Sequence, residues 1–102
     1  MADYVQSECG ITEESKEFVR KHLKEIGTVE KVELKRLPRK AETRIIGKTG
    51  TITVDGFEWG YHGEGPKGLL WLLHELGWTG YRIGDIVEIT EDRTFTRMNE
   101  TI

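Results

Sequence analysis

The sequence lacks the features that are typical of secreted proteins, of proteins stabilised by a bound metal and of membrane proteins. It contains a single cysteine, Cys9, and two prolines in 102 residues. One cysteine excludes an intrachain disulfide and a multi-cysteine zinc site, and it is typical of a reducing compartment. No apolar run approaches the roughly 18 residues that span a bilayer, and the N-terminus lacks a basic start followed by an apolar stretch. We therefore expect a cytosolic protein with no membrane partner.

The sequence also lacks residue patterns that are typical of a catalytic or metal-binding site. His62, Glu64 and His74 match no standard zinc spacing. The glycines between positions 63 and 68 have the formal spacing of a dinucleotide fingerprint, but they follow an Asp-Gly hairpin signal instead of a buried parallel strand. The sequence therefore predicts no cofactor and no metal, and it favours a non-catalytic role over an enzyme.

The composition is that of one folded domain. Hydrophobic residues make up 36% of the chain, charged residues 32% and aromatic residues 9%, whereas disordered chains have fewer aromatic and branched aliphatic residues. We predict a single domain over residues 1–102. Residues 1–11 show no hydrophobic periodicity and are expected to form a loosely ordered N-terminal segment. Tyr4 and Val5 could add a short edge strand.

Two helices are predicted from apolar periodicity and end signals. The first begins at Thr12, whose hydroxyl can cap the helix, and stops at Gly27. The second spans Lys67 to Leu76, with Pro66 in its first turn. Leucines at helical spacing give this second helix an apolar stripe, so we expect it to be the most buried element.

The strands are predicted from alternation and turn signals. A bulged strand covers residues 28–37, and a second covers 41–46. A turn at Lys48 and Thr49 places Ile45 opposite Ile52.

Two further hairpins are expected. An Asp55-Gly56 turn places Val54 opposite Phe57 and Ile52 opposite Trp59, and residues 83–98 form a second hairpin, with Ile89 opposite Phe95 and Val87 opposite Arg97. The resulting prediction is an α+β fold, with a mainly antiparallel sheet of about five strands, two helices packed on it, and the order αβββαββ.

One unusual segment joins the sheet to the second helix. This glycine loop, residues 57–66, has the sequence Phe57-Glu58-Trp59-Gly60-Tyr61-His62-Gly63-Glu64-Gly65-Pro66. It resembles a small family of uncharacterised bacterial and phage-borne domains whose signature is W-G-Y-G-G-x-G-P before an apolar helix. The resemblance covers residues 50–78, about a third of the chain, and implies a shape and not an activity. His62 departs from it, since the family has glycine at this position.

The glycine loop is the first candidate for a binding surface. For a partner-binding surface the candidate residues are Trp59, Tyr61, His62 and Glu64. For an anion, backbone amides at Gly63 and Gly65 with the charge of Lys67 would meet the positive end of the helix dipole. Against an anion, Pro66 removes one amide donor and Glu64 adds a negative charge. The alternative is that these glycines only permit a sharp turn from strand to helix.

The second candidate surface is basic. Between residues 16 and 48 the chain has 11 basic and five acidic residues, while both flanking segments are acidic. The candidates for contacts with nucleic-acid phosphates are Lys31, Lys35, Arg36, Arg39, Lys40 and Arg44. Glutamates interleave with them, and residues 31–48, here called the basic segment, lack aromatic residues for base stacking. An ordinary solvated face is therefore the competing interpretation.

Three functions stay open from the sequence. The favoured one is a non-catalytic interaction or regulatory protein with a protein or nucleoprotein partner, such as an inhibitor of a host system carried by a phage or mobile element. The alternatives are a nucleic-acid-binding module that uses the basic segment and an anion or nucleotide binder at the glycine loop.

Overall fold

The structure, a computed structural model, describes residues 2–6 and 10–97 of the chain. In that part, one five-stranded sheet carries helices on it. The strands are β1 (Ala2–Val5), β2 (Val29–Arg36), β3 (Ala41–Gly47), β4 (Gly50–Val54) and β5 (Arg93–Phe95). The helices are α1 (Thr12–His22), which continues into a 3₁₀ turn at Leu23–Ile26, α2 (Glu64–Glu75) and α3 (Ile83–Val87). The predicted α+β class is confirmed.

The sheet is antiparallel except at one edge. Its strand order is β1-β4-β3-β2-β5, and β1 runs parallel to β4. Ile45 lies opposite Ile52, as the predicted turn requires. The register between β2 and β3 shifts between Val29 and Lys31, which confirms the predicted bulge. The short edge strand considered at residues 4–5 is present as part of β1.

Helices cover one face of the described sheet. Alternate side chains of the central strands point to that face, and their large buried members are Val32, Leu34, Ile45, Ile52 and Val54. Leu69, Leu72 and Leu73 of α2 are fully buried against them, so α2 is the interior helix that the leucine stripe predicts. The opposite face of the sheet carries mostly charged and threonine side chains, together with Val5 and Ile46.

Helix α1 begins at the predicted residue, but without the predicted cap. The Thr12 hydroxyl donates a hydrogen bond to the carbonyl oxygen of Gly56, at 2.8 Å, and no side chain caps the helix. Glu13 and Glu14 still lie in the first turn, where the helix dipole favours acids. Gly27 ends the 3₁₀ turn with a φ of 75°, as predicted for a glycine stop.

The Asp55-Gly56 hairpin prediction was wrong. A two-residue hairpin turn of this sequence type needs positive φ at both positions, and neither residue has it. Instead, the Gly56 amide donates to the Ser15 hydroxyl oxygen at 2.9 Å, so the chain docks on α1. Phe57 and Trp59 are buried, but they lie in irregular structure and pair with no described strand.

Helix α2 starts at Glu64, one turn earlier than the predicted Lys67, and Pro66 lies in its first turn as expected. Gly77 follows the helix with a φ of 85°. Its amide donates to the carbonyl oxygen of His74 at 3.0 Å, so the predicted glycine stop is confirmed.

The hairpin predicted over residues 83–98 was also wrong within the described range. Residues 83–87 form α3, and β5 pairs with β2. The helix is favoured because the Asp85 carboxylate accepts a hydrogen bond from the Arg82 amide, at 2.7 Å, across the first turn. In this helix the side chain of Ile86 points into the core and is completely buried.

Candidate functional site

The glycines of the glycine loop allow the chain to pack closely on itself. Gly60 has a φ of 85°, which favours glycine. A Cβ at Gly65 would lie 2.4 Å from the carbonyl oxygen of Glu58, too close for any side chain. Gly60 and Gly65 therefore lie against protein backbone. This agrees with the interpretation that the glycines permit a sharp turn and do not line a ligand site.

Tyr61 lies over this glycine backbone. A Cβ at Gly63 would lie 2.5 Å from a carbon of the Tyr61 ring, and one at Gly65 would lie 2.9 Å from its hydroxyl oxygen. The tyrosine is nonetheless 44% exposed. The loop thus holds an aromatic ring in place and leaves a large part of it open to a partner.

Trp59 has a different environment from Tyr61. It is 1% exposed, so its side chain lies in the core and does not form part of an accessible surface. The Arg36 guanidinium lies 5.0 Å from the centroid of its ring and donates to its carbonyl oxygen at 3.2 Å. The other predicted partner-binding residues, His62 and Glu64, are exposed together with Tyr61. His62 takes a φ that suits any residue, so the departure from glycine costs no strain.

Exposed apolar residues gather around the glycine loop. In the described part, the exposed large apolar residues are Val5, Ile11, Tyr61 and Ile83. Ile11 and Tyr61 line one groove, and Ile83 lines a second hollow together with His62. Only Val5, on the edge strand, lies elsewhere. Three of the four exposed apolar side chains thus line hollows that residues of the glycine loop also line.

The groove beside Tyr61, here called the acidic groove, has a volume of about 410 Å³. It runs between the glycine loop and the start of α1. Its principal lining residues are Ile11, Glu13, Asp55, Glu58, Tyr61 and Glu64. Asp55 accepts a hydrogen bond from the Gly10 amide at 3.1 Å, which joins the two walls.

Sequence reasoning missed the contribution of Ile11, Glu13 and Asp55 to this surface. Residues 1–11 have no periodicity, and the Asp-Gly pair indicated a hairpin instead of a contact with α1. The groove forms because Gly56 bonds to Thr12 and Ser15. Those contacts join positions more than 40 residues apart, and no local pattern in the sequence signals them.

Anion binding at the start of α2 stays a prediction. Gly63 precedes the first helical residue, and Gly65 is buried in the first turn. The Lys67 ammonium lies 3.8 Å from the Glu64 carboxylate, so the cation already has an anionic neighbour. In residues 2–6 and 10–97, no three histidine, cysteine or acidic side chains are grouped as a metal site would require.

Most of the basic candidates have an acidic partner within the chain. The ion pairs are Lys31–Glu33 at 3.2 Å, Lys40–Glu42 at 3.3 Å, Arg44–Glu42 at 3.1 Å and Arg36–Glu58 at 3.0 Å. Lys35 and Arg39 make no ion pair with described residues. Arg36 also turns toward Trp59, away from the uncovered sheet face, so the structure does not bring all six candidates together. Nucleic-acid binding likewise stays a prediction.

Comparison with known proteins adds no further constraint: no protein-family model, curated protein or solved structure matches the chain. None of the helices in the described residues has the length and apolar character needed to cross a membrane.

Proposed function

We propose that this chain is a non-catalytic interaction protein that binds a protein partner through the surface around Tyr61. The observation that carries the proposal is the tyrosine itself, which packs over the backbone of Gly63 and Gly65 and remains 44% exposed. Tyrosine is enriched among the residues that dominate binding energy. A ring already held in one orientation loses little conformational freedom on binding.

The neighbouring residues extend this surface. Ile11 and Ile83 are 49% and 39% exposed, and each lines a hollow to which the loop contributes. Apolar side chains beside a fixed aromatic ring, with polar groups around them, are typical of the centre and rim of a protein interface. The family resemblance extends the proposal to a cytosolic regulator, such as an inhibitor of a host system carried by a phage or mobile element.

The proposal is tested by affinity capture from a native lysate with the untagged chain coupled at low density. We expect a stoichiometric partner with the wild type and with Val5→Thr, which changes an exposed apolar residue away from the loop. Tyr61→Ser should weaken capture about tenfold or more, as expected for an interface hot spot. Circular dichroism should show both variants folded, because both side chains are exposed.

Equal capture by Tyr61→Ser and the wild type would place the interface elsewhere. Absence of any stoichiometric partner for the wild type would count against an interaction protein altogether.

A further inference from the structure

The acidic groove has a strong charge bias. Four carboxylate residues line it, Glu13, Asp55, Glu58 and Glu64, and no described basic residue does. The groove is also bordered by apolar surface, with Ile11 and Tyr61 among its lining residues. A complementary ligand would therefore combine positive charge with apolar surface.

The cations that pair with the groove glutamates lie outside the groove. The pairs are Lys16–Glu13 at 3.3 Å, Arg36–Glu58 at 3.0 Å and Lys67–Glu64 at 3.8 Å. The three glutamate side chains are 72%, 53% and 76% exposed, respectively. Exposed pairs of this kind contribute little free energy, so they do not hold the carboxylates strongly. Each of these glutamates can consequently accept bonds from a second cation that enters the groove.

A metal ion does not fit this arrangement. Calcium and magnesium need several oxygen ligands converging on one point, and no such group of acidic side chains exists among the described residues. The carboxylates are instead distributed along the groove walls, which suits a cation carried on a flexible side chain.

Resting on the proposed function, we propose that the acidic groove binds a segment of the protein partner in which a lysine or arginine lies next to an apolar residue. The basic side chain pairs with the wall carboxylates, and the apolar one contacts Ile11 and Tyr61. Arginine fits best, because its planar guanidinium can bond a carboxylate and stack on the tyrosine ring at once.

The test selects peptides from a random display library on the immobilised full-length chain. The affinities of the recovered peptides are then measured by fluorescence anisotropy. The variants are Tyr61→Ser and the double variant Glu13→Gln with Glu64→Gln. Glu14→Gln is the matched control, because Glu14 lies beside Glu13 in the first turn of α1 but does not line the groove.

We expect the recovered peptides to carry a basic residue beside an apolar one. Their affinity should fall about tenfold for Tyr61→Ser and about three- to tenfold for the double variant, and it should not change for Glu14→Gln. Added salt should weaken binding.

Three results would overturn the inference: no peptide recovered, peptides without basic residues, or equal binding to the groove variants and the control. Self-association of the wild type that is lost in the double variant would also overturn the inference. The groove would then bind a second copy of this chain instead of another protein. If native capture still depends on Tyr61 in any of these cases, the proposed function stands and only the nature of the bound segment is wrong.

Discussion

Replacement of Gly65 by alanine tests whether the glycine loop is built by close backbone packing. The new Cβ would lie 2.4 Å from the carbonyl oxygen and 2.9 Å from the amide nitrogen of Glu58. Ordinary van der Waals contacts of a Cβ begin at 3.4 Å, so the loop or the helix must move by about 1 Å. Overpacking of this kind costs about 1–3 kcal/mol. The helix propensity of alanine offsets up to about 1 kcal/mol of that cost.

Gly84→Ala is the matched control for this prediction. Gly84 is the second residue of α3, as Gly65 is of α2, and a Cβ added to Gly84 would meet no atom within 4 Å. Alanine there should be neutral or stabilise the fold by up to about 1 kcal/mol. The two variants should therefore differ in free energy of unfolding by about 2 kcal/mol.

Urea denaturation with linear extrapolation measures the difference directly. Thermal unfolding should give a midpoint for Gly65→Ala that is lower by about 4–8 °C for each kcal/mol lost. A Gly65→Ala chain as stable as Gly84→Ala would refute the packing explanation. The glycine at position 65 would then need another reason, such as room for a ligand.

Three other perturbations test contacts that support the site. Ser15→Ala should cost about 1–3 kcal/mol in urea denaturation, because it leaves the buried amide of Gly56 without its acceptor; an unchanged midpoint would contradict that bond. Arg36→Ala should cost about 1–2 kcal/mol and alter tryptophan fluorescence, since its guanidinium stacks over Trp59; a wild-type spectrum would count against the stacking. Desolvation is the largest effect that raises the pKa of the Tyr4 hydroxyl above its ordinary value of 10.0, and the negative charge of Glu25 raises it further. The unfolded chain therefore ionises first, and the stability contributed by Tyr4 is present below pH 10.0 and lost above it. As the pH rises from ~9 to ~11, the free energy of unfolding should fall less for Tyr4→Phe than for the wild type. Equal decreases would argue against a raised pKa for Tyr4.

Local signals predicted the central part of the fold. The β-branched and apolar alternation of β2 and β3, with the Lys48-Thr49 turn, predicted the pairing of Ile45 with Ile52. The leucines of α2 and the glycine after it predicted a buried helix and its end. These elements were predictable because neighbouring residues carry both the periodicity and the stop signals.

A long-range contact accounts for one error, and a local cap together with burial in the core accounts for the other. The Asp55-Gly56 pair has the composition of a hairpin turn, but Ser15 and Thr12 bond its glycine and hold it against α1. Residues 83–87 contain enough isoleucine and valine for a strand, yet the Asp85 cap and the burial of Ile86 favour a helix. A preference of a few tenths of a kcal/mol for strand or helix is readily overcome by burial.

The sequence by itself determined the α+β class, the interior helix and the position of the glycine loop, because each depends on residues close together in the chain. The tertiary structure alone decided the orientations of the two loop aromatics, with Trp59 buried and Tyr61 exposed. It also decided that Ile11 and Glu13 join the loop to form a groove. The physical reason is that side-chain burial and the grouping of charges depend on distances between distant segments, and only the folded chain sets those distances.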